Sequence, residues 1–200
     1  MKKLILLALL TGILFSSASC QTGQSTEERA TNLKPMYGKG KKTKGQLEAD
    51  REFLRICDSI YSSRQKAAIE HVEMGFYYIG VNDNETAMKR FNQAWLLDSL
   101  NTYVYCGFGI LMYEKSAYKE SMDLLDKAIQ LDPANPVAYF RQAINANRLF
   151  LDTREESYRE QSTKYLQKAI ELNPDADYGG QMTAMMYGLS TNADKQGQTY

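Results

Sequence analysis

The chain has 200 residues, of which 24 are Lys or Arg and 24 are Asp or Glu, so its formal net charge is zero. A balanced charge provides no strong field for binding nucleic acid or an anionic membrane surface. With one histidine and three cysteines, the chain has too few of these residues for a disulfide scaffold or for a histidine-rich zinc site.

The start of the chain has the order that is typical of an export signal. Lys2 and Lys3 precede an apolar run over residues 4–15, and small residues follow at 16–19. That run is too short to span a bilayer stably, and no later stretch approaches the roughly 20 apolar residues of a spanning helix. We therefore expect residues 1–19 to be a signal peptide.

Cys20 follows this segment directly. The Ser-Ala-Ser-Cys ending resembles the lipobox of bacterial lipoproteins, in which the cysteine receives a diacylglycerol, although Ser17 stands where that box usually has leucine. The resemblance implies an exported cell-envelope lipoprotein, held by its lipid alone at the outer membrane and facing the periplasm. The alternative is ordinary cleavage, which releases a soluble protein.

Two segments of different character precede the main body of the chain. Residues 20–45 carry few large apolar side chains and many lysines and glycines, so we expect a flexible, solvated tether. The glycines and lysines lack the spacing of a phosphate-binding loop. Residues 46–67 follow with an amphipathic pattern, which predicts one helix over about 46–64.

The informative part of the sequence begins at Ala68. Residues 68–101 and 102–135 align with each other without gaps, and both copies end in similar Leu-Asp segments. A third copy occupies residues 136–176. The spacing from Ala128 to the equivalent alanine of this copy, Ala169, is seven residues longer than the spacing from Ala94 to Ala128. Seven residues are therefore inserted, and we place them around 150–157, between the two helices of that copy.

These copies resemble the tetratricopeptide repeat (TPR). That family places small residues at repeat positions 8, 20 and 27, where two antiparallel helices cross closely, and proline at 32, where the second helix ends. The residues at these positions are Gly75, Ala87, Ala94 and Ser99, then Gly109, Ser121, Ala128 and Pro133, then Ala143, Ser162, Ala169 and Pro174. The departures from the pattern are Ser99 for proline, His71 for a large aromatic residue and Gln142 for an apolar one.

The resemblance implies an all-α TPR solenoid over residues 68–189. It would contain three repeats, the amphipathic N-terminal helix before them and a capping helix at 177–189 after them. Capping helices are expected because each repeat buries its apolar face only against a neighbour. Residues 190–200 are polar, and we expect them to form a loose tail.

The titratable residues do not form a convergent catalytic set, so we expect no enzymatic activity and no cofactor or metal. His71 stands at a position where the family has a core residue, and its neighbours Glu70 and Glu73 point in other directions on a helix. Asp152, Glu155 and Glu156 form a solvated acidic run. Cys57 and Cys106 are either two buried thiols or, after export, a disulfide.

The remaining candidate is the concave surface that the first helix of each repeat lines in this family. We predict an apolar and aromatic groove that takes a hydrophobic helix or an extended peptide. Its predicted lining residues are Ile69, Val72, Phe76, Ile79, Tyr103, Cys106, Ile110, Tyr113, Val137, Phe140, Ile144 and Asn147. The occupant is either a partner protein or the chain's own 46–64 or capping helix.

Three functions fit these features. The first is a non-catalytic adaptor or scaffold of the bacterial cell envelope, which binds a protein partner. The second is a structural lipoprotein that supports assembly of an outer-membrane complex. The third is an accessory subunit of a cell-wall enzyme.

Overall fold

The structure, a computed structural model, describes residues 31–187. The predicted signal peptide, Cys20, the first part of the tether, the last two residues of the capping helix and the tail 190–200 lie outside the described residues. Between residues 31 and 187, no helix is both long enough and apolar enough to cross a membrane.

From residue 44 to residue 187 the chain forms eight α-helices and no strand. They are α1 (Lys44–Ile60), α2 (Arg64–Gly80), α3 (Asn84–Leu97), α4 (Thr102–Glu114), α5 (Tyr118–Leu131), α6 (Pro136–Thr153), α7 (Glu156–Leu172) and α8 (Tyr178–Tyr187). Consecutive helices α2–α3, α4–α5 and α6–α7 form antiparallel pairs, with α1 before them and α8 after them. The predicted all-α solenoid of helix pairs is confirmed.

The same turn chemistry recurs between successive pairs. Asn101 and Asn135 cap α4 and α6, each accepting a hydrogen bond from a backbone N–H in the first helical turn. Three positions earlier, the carboxylates of Asp98 and Asp132 each accept a backbone N–H at 3.0 Å. The sequence repeat is therefore a repeat of local hydrogen bonding as well.

Small residues let the two helices of each pair approach closely. Gly109 in α4 lies against Leu125 of α5, with no room for a side chain between them. The buried hydroxyl of Ser121 donates to the carbonyl oxygen of Gly109 at 2.6 Å, and that of Ser162 donates to the carbonyl oxygen of Ala143 at 2.9 Å. The two serines thus cross-link the helices of the second and third pairs in the same way.

The seven extra residues of the third copy, which we placed around 150–157 between its two helices, do not lengthen the turn there. Instead α6 is five residues longer than α4, α7 is three residues longer than α5, and the turn between them is one residue shorter. Arg154 in this turn adopts a left-handed conformation with φ of 62°, as Asn82 and Ser116 do in the corresponding turns of the first two pairs. The insertion therefore lengthens the third pair and keeps its register.

Helices α1 and α8 cover the two ends of the solenoid. On α1, Cys57 and the partly buried Phe53 pack against Ala67, Ala68 and Leu97 of the first pair. At the other end, Tyr178 and Met182 of α8 pack against Phe140, Ile144 and Ala169 of the third pair. Both ends thus shield an apolar face that a further repeat would otherwise bury.

Residues 31–43, which we predicted to belong to a flexible tether, are held against the first and second pairs. This segment, called the strap below, contains a turn at Pro35–Lys39 and contacts α3 chiefly through Asn92. The prediction failed because low local hydrophobicity does not exclude docking through backbone hydrogen bonds to a distant part of the chain.

Candidate peptide-binding surface

The first helix of each pair contributes to one surface, called the groove face below, which is formed by α2, α4 and α6. Half of the twelve residues predicted to line it are buried, namely Val72, Phe76, Cys106, Ile110, Phe140 and Ile144. Ile79, Tyr113, Val137 and Asn147 are partly buried. Ile69 and Tyr103 are exposed, at 49% and 40%.

The apolar surface that is open to solvent is therefore smaller than the twelve predicted lining residues implied. Phe76, Ile110 and Phe140, which we expected to be open, are only 8%, 6% and 4% exposed. Phe76 and Ile110 belong to the core that joins the first two pairs, and the ring of Tyr178 on α8 lies 4.7 Å from that of Phe140. Packing between neighbouring repeats, together with α8, buries these side chains.

Neither end helix accounts for the whole groove face. Helix α1 lies over Ala67, Ala68 and His71, which are not among the predicted groove residues. Helix α8 covers Phe140 but leaves Tyr103 exposed and Tyr113 partly open. The prediction that one of the chain's own helices occupies the groove applies to α8 alone, and only at the C-terminal end.

A small cavity of about 40 Å³ opens between α4 and α6 on this face. Its lining residues are Ile110, Tyr113, Glu114, Arg141, Ile144 and Asn145. The Nε of Arg141 and the Oδ1 of Asn145 are buried and have no hydrogen-bond partner. Asn145 is only 2% exposed, and its amide nitrogen donates to the carbonyl oxygen of Arg141. Buried polar atoms are rarely left unpaired, so we expect a water molecule or a bound group in this cavity to pair with these two atoms.

The charge of Arg141 is also unmatched, since no ion pair within residues 31–187 joins it to an acidic side chain. Its neighbours in the cavity include one carboxylate, Glu114, and are otherwise uncharged. Burial raises the pKa of the Tyr113 hydroxyl, and it raises the pKa of the Cys106 thiol to about 12, so both stay protonated near neutral pH. The site thus holds one cation, Arg141, and one carboxylate, Glu114, among aromatic and apolar groups, and the N–H groups of Arg141 suit a hydrogen-bond-accepting partner.

Arg141 and Asn145 are not among the predicted groove residues, because they lie outside the repeat positions that line the concave surface in this family. One signal was available in the sequence. Arg148, further along α6, has Asp152 one helical turn later and pairs with it at 3.3 Å. Arg141 has no acidic residue three or four positions away on either side. An unpaired arginine on an inward helix face indicates a partner outside its own helix.

The residues considered for catalysis do not converge. His71 is 6% exposed, and burial together with the nearby Arg90 lowers its pKa to about 4, so the ring is neutral. Glu70 and Glu73 point into solvent. In the acidic run, Glu156 pairs with Arg159 at 2.7 Å, and no group of three potential metal ligands occurs among the described residues.

Cys57 and Cys106 are both buried and both free. Cys57 lies under α1 with Ala67, Ala68 and Leu97, whereas Cys106 belongs to the core between the first and second pairs. Of the two alternatives left open by the sequence, this structure contains two buried thiols.

No family model matches the sequence. The TPR domain of Arabidopsis OM64 is similar in structure, with a TM-score of 0.51 and 17% sequence identity over 63% of this chain and 98% of that chain. YrrB, described as a TPR protein with an unusual peptide-binding site, has a TM-score of 0.45 and 16% identity over 72% of this chain and 66% of that chain. The first likeness shows that this chain has the tetratricopeptide-repeat fold.

Proposed function

We propose that this TPR-fold chain is a non-catalytic adaptor of the cell envelope, which binds a segment of another protein on the groove face. The observation that carries the proposal is the cavity between α4 and α6, where Arg141 and Asn145 present unpaired polar atoms beside Tyr113. Stacked helical repeats commonly expose an extended surface of this kind for binding.

The chemistry of the cavity specifies the partner segment. Arg141 offers N–H donors and a positive charge, and the Oδ1 of Asn145 offers an acceptor for a backbone N–H. Tyr103 and Tyr113 offer aromatic surface beside them. A peptide that places a backbone carbonyl oxygen at Arg141 and a backbone N–H at the Oδ1 of Asn145, with an apolar residue against the tyrosines, pairs with these groups and adds no second carboxylate beside Glu114.

The proposal predicts that Arg141→Gln combined with Tyr113→Ser weakens partner capture by about tenfold or more, as expected when a central charged and aromatic pair is removed. A photo-crosslinking residue placed at Tyr103 in cells would report capture by mass spectrometry. Tyr113 also contacts the ring of Tyr118 on α5 at 5.3 Å, so circular dichroism and thermal melting must first show that the double variant remains folded.

Arg148→Gln is the matched control, since Arg148 lies on the same helix but is about half exposed and already paired with Asp152. It should leave the crosslinked product unchanged. If the double variant retains the wild-type crosslinks, the groove face is not the binding surface. Phe140→Ser is unsuitable for this experiment, because Phe140 is buried under α8 and its loss would disturb the fold.

We further propose that a lipid on Cys20 holds the adaptor at the membrane, on the basis of the export signal and the lipobox-like ending in the sequence. Cys20→Ala should move the protein from the detergent phase to the aqueous phase, or leave it unprocessed. Cys57→Ala is the control, because Cys57 is buried in the domain. Wild-type protein that partitions into water would contradict the anchor.

A further inference from the structure

The strap is bound through its backbone by one buried side chain. Asn92 on α3 has no exposed surface. Its amide nitrogen donates to the carbonyl oxygens of Asn32 and Lys34 at 2.9 and 3.0 Å, and its Oδ1 accepts the backbone N–H of Tyr37 at 3.2 Å. Both the nitrogen and the oxygen of the Asn92 side-chain amide thus hydrogen-bond to a segment that is distant in sequence.

Side chains of the strap add an aromatic and a charged contact. The ring of Tyr37 meets Trp95 edge-on at 6.5 Å, and the ammonium group of Lys42 lies 3.5 Å from the centre of the Tyr37 ring. Lys42 also pairs with Asp50 of α1. Burial raises the pKa of the Tyr37 hydroxyl, which keeps the ring neutral beside Trp95. These are contacts that commonly hold a bound peptide.

The strap buries Pro35 and packs Met36 against the main core, yet its backbone is strained and its packing is incomplete. Met36, Tyr37 and Lys39 have φ of 52°, 55° and 55°, a left-handed conformation that costs energy for residues other than glycine. A cleft of about 740 Å³ remains between the strap and the helices α4 and α5. Lys115 crosses toward the strap and donates to the carbonyl oxygen of Leu33 at 3.2 Å. The strap therefore lies on the outer side of the solenoid as a strained, incompletely packed peptide.

We infer that the outer surface around Asn92 and Trp95 is a second peptide-binding site, and that its occupant, residues 31–43 of the chain itself, is a releasable ligand. The site recognises two backbone carbonyls and one backbone N–H at fixed spacing, with an aromatic ring against Trp95. It lies on α3, the second helix of its pair, and so is separate from the groove face formed by the first helices.

Release of the strap would change how far the domain extends from its anchor. With the strap docked, only residues 21–30 connect Cys20 to the domain; with the strap released, residues 21–43 connect it to α1. The segment gained, residues 31–43, spans at most about 45 Å when extended. This consequence rests on the proposed lipid at Cys20, whereas the second site itself does not.

Tyr37→Ser in the full-length chain tests the site by emptying it, and a fluorescent synthetic peptide of residues 31–43 is the probe. Trp95, the only tryptophan, should change its emission, and the strap amides should exchange hydrogen about tenfold faster while the exchange of α3 is unchanged. The emptied site should bind the probe, and the wild-type chain should bind it at least about tenfold more weakly because its own strap competes.

Asn92→Leu, added to Tyr37→Ser, should abolish probe binding, and a probe that itself carries Tyr37→Ser should not bind. The inference is overturned if the probe fails to bind the Tyr37→Ser chain, or if it binds equally well after Asn92→Leu. It is also overturned if the strap amides exchange hydrogen at the same rate as those of α3, because the strap then opens only when the domain itself unfolds. Failure of Cys20 lipidation would leave these measurements unaffected.

Discussion

Replacing Gly107 with leucine is expected to lower the free energy of unfolding by about 3 kcal/mol or more, at or above the upper end of the usual cost of overpacking, because the added side chain meets a ring that is itself tightly packed. A Cβ at Gly107 would lie 2.3 Å from the ring of Phe91, and one at Gly75 would lie 2.6 Å from the same ring. Phe91 is fully buried between α2 and α4, with Phe76 and Phe108 in edge contact at 5.2 and 6.1 Å. The ring has no direction in which to move.

Two controls separate this steric effect from a general sensitivity to mutation. Gly80→Ala adds a Cβ into open space at the end of α2 and should be neutral or slightly stabilising, because alanine favours helix more than glycine does. Lys119→Ala, on an exposed position of α5, should stay within about 0.5 kcal/mol. Urea unfolding followed by circular dichroism measures all three, and equal midpoints would contradict this packing.

Gly107 shows that the repeat pattern predicts contacts within a helix pair but not contacts between neighbouring pairs. The pattern correctly placed Gly75 and Gly109 at close helix crossings, because those contacts lie within one pair and depend on the spacing along two connected helices. Gly107 contacts Phe91 of the preceding pair. That contact depends on how one repeat stacks on the next, which the sequence of a single repeat does not specify.

The groove face and the strap were predicted incompletely for related reasons. The repeat positions identified the face on which Ile110 and Phe140 lie, but not how closely α4, α6 and α8 approach, and so not that both side chains are buried. In the strap, lysines and glycines indicated a solvated tether. Two distant side chains, Asn92 and Lys115, bind its backbone, and backbone recognition leaves little trace in composition.

His71 gives the second large expected effect, a loss of stability in mild acid. Its ring is 6% exposed and packs edge-on against Phe53 of α1 at 5.3 Å, and its Nδ1 has no hydrogen-bond partner. Burial and the positive charge of Arg90 lower its pKa from 6.5 to about 4, although a hydrogen bond with the side chain of Gln93 acts in the opposite direction. Folding therefore requires a neutral ring.

The sign of the effect follows from the two pKa values. Between pH 6.5 and about 4 the unfolded chain binds a proton at His71 and the folded chain does not, so stability is complete above this range and decreases as the pH falls through it. The full decrease is about 3 kcal/mol for a shift of this size. It should appear first as loosening of α1, because Phe53 covers the ring.

His71→Phe should remove this dependence, because phenylalanine fills the same apolar site and takes up no proton. Thermal melting at steps between pH 7 and 4.5 would show a much shallower decrease for the variant than for the wild type, since the carboxyl groups with shifted pKa values at Glu52 and Asp126 are the same in both. The carboxyl groups of Asp58 and Asp83 have pKa values below their usual range, so their stabilising effect is lost only at lower pH and does not obscure the comparison. Glu70→Gln, an exposed neighbour, should keep the wild-type profile. A His71→Phe profile as steep as the wild type would show that another group is responsible for the acid sensitivity.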